Sequence, residues 1–402
     1  MTQSKSIFSR DFWILATVNF LVMTAYYGLM VTTAQFAVAR FHAATSIAGL
    51  VAGITVIGIL FSRFASGYLT QHFTTKALLM SGALLLIPAT LAYSFTNSIG
   101  MLIVVRLVHG LAIGLISTVT NTAVVLLFPP ARKGEGIGYF SLSTIIATAI
   151  GPFLGLLLMG ISFSVLFNVV SVSAVLACLT AFTVNAKRIV FHRPAKPEPL
   201  NWRAFIEPKV LPITVSVFII GLSYAALQAY ISFFAATVNL SALASYFFLV
   251  YAAAVLFSRP LTGRLLDRHS ENLVMIPAVL IEVVGLFVLA RATNGITFML
   301  AAVLIGLGFG NFQSAAQTVV AKMVPTVRLS QATATYFIVF DLSLGVGPFG
   351  LGLVAPHVGY ANLFAMCGLL SLLGLVCYYF LHGRHAQFKL PVNHTAEVKV
   401  KD

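Results

Sequence analysis

A chain of 402 residues that is 59% hydrophobic and only 8% charged, with a mean hydropathy of +0.98, is not built to fold in water; lipid is its main solvent. The net charge of +14 does not mark a nucleic-acid partner, because the basic residues gather in short gaps between apolar runs, where they set membrane topology. Cys178, Cys367 and Cys377 fall inside apolar runs without CxxC or Cys/His spacing, so neither a disulfide framework nor a metal site is indicated, and no cofactor is expected.

Breaking the apolar runs at charges, Pro/Gly turns and polar clusters predicts spans near 12–39, 47–71, 76–96, 99–128, 136–160, 163–186, 209–238, 241–266, 272–293, 296–323, 330–356 and 360–382. Twelve spans at about 20 residues each need roughly 240 apolar residues, nearly all that the chain has. The expected fold class is an all-α membrane protein with twelve transmembrane helices in two six-helix halves. No small-residue cleavage site follows the first apolar stretch, which reads as a retained helix rather than a signal peptide. With the N-terminus inside, Lys76, Arg132, Lys133, Lys187, Arg188, Arg193, Lys196, Arg203, Arg268, Arg328 and the tail from Arg384 fall in the cytoplasm, and only Arg40 and Arg291 fall outside. The expected location is the plasma or bacterial inner membrane, with both termini cytoplasmic.

The long polar segment 187–208 carries Pro194, Pro197, Pro199 and Pro208 with a basic excess and reads as a cytoplasmic linker. It separates an N-terminal half (1–186) from a C-terminal half (209–384), with a cytoplasmic tail at 385–402. The halves align at a constant offset of 196 residues: Leu60-Phe61-Ser62-Arg63 matches Leu256-Phe257-Ser258-Arg259. Gly67 matches Gly263, Gly110 matches Gly306, Gly114 matches Gly310, Pro129 matches Pro325, Arg132 matches Arg328, and Gly151-Pro152-Phe153 matches Gly347-Pro348-Phe349. An offset across six spans preserves orientation, so the repeats are parallel, an arrangement that goes with alternating access around a midplane site. The plain alternative is duplication that only enlarges a membrane scaffold.

Three motifs carry a family resemblance. Gly67-Tyr68-Leu69-Thr70-Gln71-His72 follows span 2 without a carboxylate, while Gly263-Arg264-Leu265-Leu266-Asp267-Arg268 keeps acid and base. Arg106 is followed by Gly110 in span 4, and Gly151-Pro152-Phe153-Leu154-Gly155 lies in span 5 with Leu156 where a second glycine is usual. From about 12 to 384 the chain resembles the major facilitator superfamily, and within it the twelve-span drug:proton antiporters. The resemblance implies that the loop motifs latch the halves in one state, that Arg106 takes part in proton coupling, and that the span 5 motif marks an exporter. It also implies a monomer, and spans 2 and 11 that face each other across the halves.

Charges inside a span cost at least about 2.5–3.5 kcal/mol each at the helix centre, so those present need a partner, water or a task. Of the ten acidic residues, only Glu282 and Asp341 lie deep in spans, beside the bases Arg63, Arg106 and Arg259 and the titratable His109; spans 1–6 hold no acid. A carboxylate proton carrier therefore comes from the C-terminal half, with Asp341 first and Glu282 second. Counting residues from the span ends puts Arg63 and Asp341 within ~5 Å of the same depth, where they form either a pair that breaks as the halves rock or a permanent one. Glu282 is expected to pair with Arg259 on the neighbouring span. His109 is either a packed, hydrogen-bonded residue or a proton relay.

Arg106, Gly110, Ile113, Ser117 and Asn121 share a face of span 4 that would aim at a hydrated cavity. Asn19, Met23, Tyr26, Tyr27 and Met30 in span 1, Tyr224 and Gln228 in span 7, and Asn311, Gln313 and Gln317 in span 10 are the other candidate cavity residues. The competing reading of each set is helix packing through small and polar residues. Gly151-Pro152 and Gly347-Pro348 break the backbone ladder and mark bends in spans 5 and 11.

The chain has no P-loop, HExxH or GxSxG motif and no acids paired at catalytic spacing, which argues against an enzyme or an ATP-driven pump. The expected activity is proton-coupled efflux of small amphipathic molecules or metabolites, with lipid, protons and the small-molecule substrate as partners. An uncoupled facilitator or a proton-coupled importer is the rival; a non-transporting sensor is disfavoured by the short tail.

Overall fold

The computed structural model describes residues 8–128, 133–185, 189, 206–324 and 329–385. Nearly all of the expected linker, the tail beyond 385, and Pro129, Arg132, Pro325 and Arg328 lie outside the described residues, as do the side chains of Asp267 and Arg268, and Gly67 is placed only as part of a helix.

The N-terminal half contains α1 (Arg10–Phe41), α2 (Thr45–His72), α3 (Thr75–Leu91), α4 (Ile99–Leu127), α5 (Lys133–Ile161) and α6 (Phe163–Phe182). The C-terminal half contains α7 (Leu211–Thr237), α8 (Ser241–Arg268), α9 (Asn272–Ala290) and α10 (Gly295–Lys322). A 53-residue helical run, Leu329–Leu381, would be about 80 Å long if straight, far more than a bilayer needs. It breaks at Gly359, whose φ of 76° is open to glycine, into α11 (329–358) and α12 (360–381). The two ends of this run lie at the same end of the bundle: Thr335 Oγ1 accepts from the Glu207 N–H beside the start of α7, and the Gly383 carbonyl accepts from Asn272 at the start of α9. The described residues thus form a bundle of twelve helices of membrane-spanning length.

Local chemistry fixes where the helices begin. Ser9, Thr74, Ser98, Ser162 and Asn294 each stand just before a helix and accept a hydrogen bond from a backbone N–H of its first turn. α1 ends where His42 adopts a left-handed conformation (φ 51°) and donates its N–H back to the last turn. Two helices start earlier than expected, α1 at Arg10 and α5 at Lys133, so they take in Asp11 and Glu135. The statement that spans 1–6 hold no acid is corrected to that extent. Asp11 sits in the first turn of α1, where a carboxylate suits the helix dipole, and accepts from the Asn185 N–H at 3.1 Å.

Within the N-terminal half, α1 and α5 touch backbone to backbone. A Cβ on Gly151 would lie 2.7 Å from the Thr24 carbonyl, and one on Gly155 would lie 2.7 Å from Gly28 Cα. Small residues are what allow membrane helices this approach. The halves meet along α2 and α11, α5 and α8, and α1 and α7, whereas neither α4 nor α10 makes a comparable contact across the divide. Between α2 and α11, a Cβ on Gly53 would overlap the Gly345 carbonyl oxygen, and one on Gly352 would lie 2.7 Å from the Thr45 carbonyl. Phe153 of α5 lies 5.6 Å from Tyr246 of α8. The Gly53, Gly352 and Phe153 contacts sit toward the helix ends away from the linker, so the divide is closed at that distal end.

Candidate functional site

Arg63 of α2 and Asp341 of α11 bring opposite charges together across the two halves: Nη1 lies 2.8 Å from Oδ2, with side chains 30% and 12% exposed. The angle is that of a charge contact rather than a directed hydrogen bond. The guanidinium carbon also lies 5.5 Å from the ring centre of Phe337, one turn before Asp341, which holds the arginine over an aromatic face. Tyr26 of α1 is buried beside Tyr27, with ring centres 4.9 Å apart, and lies within electrostatic range of Asp341, Arg63, Arg106 and Tyr224. Tyr224 of α7 stacks on Phe309 of α10 at 4.1 Å and on Tyr251 of α8 at 5.9 Å. Gln228, one turn further along α7, is buried near the Tyr224 hydroxyl, but neither of its amide atoms meets hydrogen-bond geometry. A buried amide without partners is costly, by about 1–3 kcal/mol, and such a group is a ready contact for a polar ligand. Around the α1–α7 contact the structure thus brings together tyrosines, an unsatisfied amide and one bridging ion pair.

Other expected cavity residues are placed elsewhere. Asn19 donates to Ser143 Oγ at 2.8 Å and Thr144 Oγ1 at 2.9 Å, joining α1 to α5 inside one half. Asn311 donates to Ser258 Oγ at 2.8 Å and accepts from Thr262 at 2.9 Å, joining α10 to α8 inside the other. Met23 and Gln313 are half-buried, and the Gln313 carbonyl accepts from the Tyr336 hydroxyl at 2.9 Å. Asn121 and Gln317 are exposed near the linker-side ends of α4 and α10.

The span 4 face is a correction. Arg106 is 0% exposed and does not open to a cavity: Nε donates to the Val51 carbonyl at 2.8 Å and Nη2 to the Ala52 carbonyl at 2.7 Å. Gly110 and Gly114 of the same helix lie against the α2 backbone at Thr55 and Ile59, so the face is packed on α2. A planar, forked donor suits two adjacent carbonyls, and lysine cannot serve both. Arg106→Lys is expected to lower the unfolding free energy by about 1.5–3 kcal/mol, one charged hydrogen bond, read as a fall in the melting midpoint in detergent. His109 is buried, with Nδ1 2.9 Å from the Tyr93 hydroxyl and Nε2 without a partner.

The expected pairing of Glu282 with Arg259 is also corrected. Glu282 Oε1 lies in hydrogen-bond contact with Ser371 Oγ at 3.1 Å, and Arg259 has no ion-pair partner among the described residues. The reason is local: α10 contains a π turn, Gly306–Gly310, whose glycines let Glu282 and its helix press against it and turn the carboxyl toward α7 and α12. The run Gly-Leu-Gly-Phe-Gly was the signal for that turn. Tyr230 was not anticipated either. Its hydroxyl donates to the Pro348 carbonyl and lies 3.3 Å from the Thr45 carbonyl, bridging α11 and α2, and glycines at 49 and 352 leave it room.

The Major Facilitator Superfamily pattern matches residues 15–290 and 248–400. The chain belongs to the major facilitator superfamily. An uncharacterised transporter of this superfamily from Methanocaldococcus jannaschii is 22% identical over 345 residues, covering 80% of this chain and 88% of the relative. An arabinose-proton symporter of Bacillus subtilis is 30% identical over 108 residues, which are 27% of this chain and 23% of the symporter. Among solved structures, a bacterial homologue of the human lysosomal transporter Spinster, inward-facing and unoccupied, superposes with a TM-score of 0.77 at 12% identity, covering 94% of this chain and 96% of that one. A POT family transporter in complex with 5-aminolevulinic acid gives 0.78 at 13% identity, over 96% and 99%. The superfamily fold is thereby shown, and the protein is a secondary transporter rather than an enzyme.

Proposed function

We propose that the protein is a proton-coupled exporter of small amphipathic or metabolite-like molecules, working by alternating access. The observation that carries this reading is the Arg63–Asp341 contact, a charge pair that bridges the two halves of the transporter and must be remade if they rock. Protonation of Asp341 removes its attraction for Arg63 and favours separation of α2 from α11; deprotonation restores it. With the linker end in the cytoplasm, closure at the distal end corresponds to an inward-facing state. Tyr26, Tyr27, Tyr224 and Gln228 then form the substrate-binding surface, where adaptable aromatic faces and a free amide suit neutral or zwitterionic solutes. Packing of Gly151 and Gly155 on α1 supports the antiporter-like reading of the span 5 motif. The partial similarity to an arabinose-proton symporter supports a second reading, proton-coupled import.

The test is proton flux in liposomes under an imposed pH gradient, with a panel of lipophilic cations, zwitterions and small acids, comparing wild type with Asp341→Asn. A solute that collapses the gradient through wild type but not through the variant is expected. Solute flux without proton movement, or an unaltered variant, overturns the assignment, and the sign of the coupled proton flux separates export from import.

A further inference from the structure

Glu282 is 1% exposed and takes no part in the contact between the halves. It heads a chain of buried oxygens that runs through the core of the C-terminal half. Glu282 Oε1 lies 3.1 Å from Ser371 Oγ on α12, Ser371 Oγ lies 3.0 Å from Ser223 Oγ on α7, and the Ser223 hydroxyl donates to the Cys367 carbonyl at 2.9 Å. Three contacts between oxygens require three protons. With the Ser223 proton on the Cys367 carbonyl, the Ser371 hydroxyl has one proton for two neighbouring oxygens, Ser223 Oγ and Glu282 Oε1. Both contacts have a donor at the same time only when the carboxyl carries a proton.

The rest of the surroundings agree. Glu282 Oε2 is buried and has no hydrogen-bond partner, a position that a carbonyl-type oxygen tolerates far better than half of a carboxylate. The titratable groups within electrostatic range of the carboxyl are Tyr251 from α8 and the Cys367 thiol from α12. Arg259 of α8 lies within electrostatic range of Tyr251 and forms no ion pair with Glu282. The backbone on the α10 side is equally close: a Cβ on Gly308 would lie 2.6 Å from Glu282 Cα and Cβ. Gly308 belongs to the π turn, and the next residue, Phe309, is stacked on Tyr224.

We infer that Glu282 is a proton-binding site separate from Asp341, a neutral carboxylic acid whose proton completes the Ser371–Ser223 relay and clamps α7, α9 and α12 against the π turn of α10. Removal of the proton leaves an unpaired charge beside Gly308, pushes α9 away from the turn and disturbs the Phe309–Tyr224 stack. Only the link from that stack to transport rests on the exporter reading; the proton site itself does not.

Infrared difference spectroscopy of the full chain in liposomes tests the site without any flux. Subtracting Glu282→Gln from wild type at neutral pH is expected to show one protonated-carboxyl band, sensitive to D2O. That band should shift in Ser371→Ala, which keeps the acid and removes its acceptor, and persist in Asp341→Asn. Hydrogen exchange of the segment 303–312, corrected for intrinsic rates, should step up at the pH where the band is lost in wild type and show no step in Glu282→Gln. A carboxylate band for Glu282 at neutral pH, or a step that survives in Glu282→Gln, overturns the inference. A band present while Asp341→Asn leaves proton-coupled flux intact defeats the exporter assignment of Asp341 and leaves the Glu282 site standing.

Discussion

Gly53→Val is expected to slow transport by roughly 5- to 150-fold while leaving a folded protein. A side chain at position 53 overlaps the Gly345 carbonyl, which is backbone and has no rotamer through which to retreat. Overpacking of this kind costs about 1–3 kcal/mol, and it applies only to the state in which α2 and α11 touch. A two-state equilibrium with opposing populations within a few kcal/mol shifts by roughly 5- to 150-fold under that bias, and a cycle that must pass through the disfavoured state slows accordingly. Distances between spin labels on the distal ends of α2 and α11 should lengthen in the variant. Gly350→Val is the control, because a Cβ at that position of α11 meets nothing within 4 Å. Equal losses in both variants would mean that glycine removal acts on helix stability and not on closure.

The twelve spans were legible because their signals are local: an apolar run of sufficient length, preceded by a capping side chain such as Ser98 or Ser162. The twofold repeat was legible for a similar reason, since an offset needs no geometry. What the sequence concealed is where the halves depart from that symmetry. Applying the 196-residue offset, Gly49 and Gly53 of α2 correspond to Ser245 and Leu249 of α8, and Asp341 corresponds to Ile145 of α5. The close approach and the charge pair therefore belong to the α2–α11 contact and have no copy at α5–α8, which explains why Arg259, the counterpart of Arg63, is left without an ion-pair partner among the described residues. Helical periodicity placed Arg106 and Ser117 on one face correctly, yet it cannot say what that face meets. The glycines at 110 and 114 held that information, because a face with two glycines packs on a backbone more readily than it lines a cavity. Asn19 and Asn311 misled for the complementary reason: an amide in a span satisfies itself on neighbouring hydroxyls, here Ser143, Thr144, Ser258 and Thr262, wherever those lie within reach.

Breaking the Arg63–Asp341 contact from either side is expected to give unequal results. The Asp341 side chain is the more buried of the two, at 12% exposure against 30% for Arg63. Arg63→Ala therefore strands a carboxylate away from water, whereas Asp341→Asn strands an arginine that still reaches solvent and the Phe337 face. Removing one partner of a buried pair costs about 3–5 kcal/mol, and Arg63→Ala should approach the lower end of that range while Asp341→Asn falls below it. The double variant Arg63→Ala/Asp341→Asn removes the stranded charge as well, so it should be more stable than Arg63→Ala alone, with a coupling of roughly 0.5–3 kcal/mol. Melting midpoints in detergent measure that cycle directly. A dynamic pair predicts one thing more, that the double variant recovers stability without recovering proton-coupled flux, because the titrating carboxyl is gone. A permanent pair that merely holds the halves together predicts the opposite: stability and flux return together, and the proton must then be carried elsewhere.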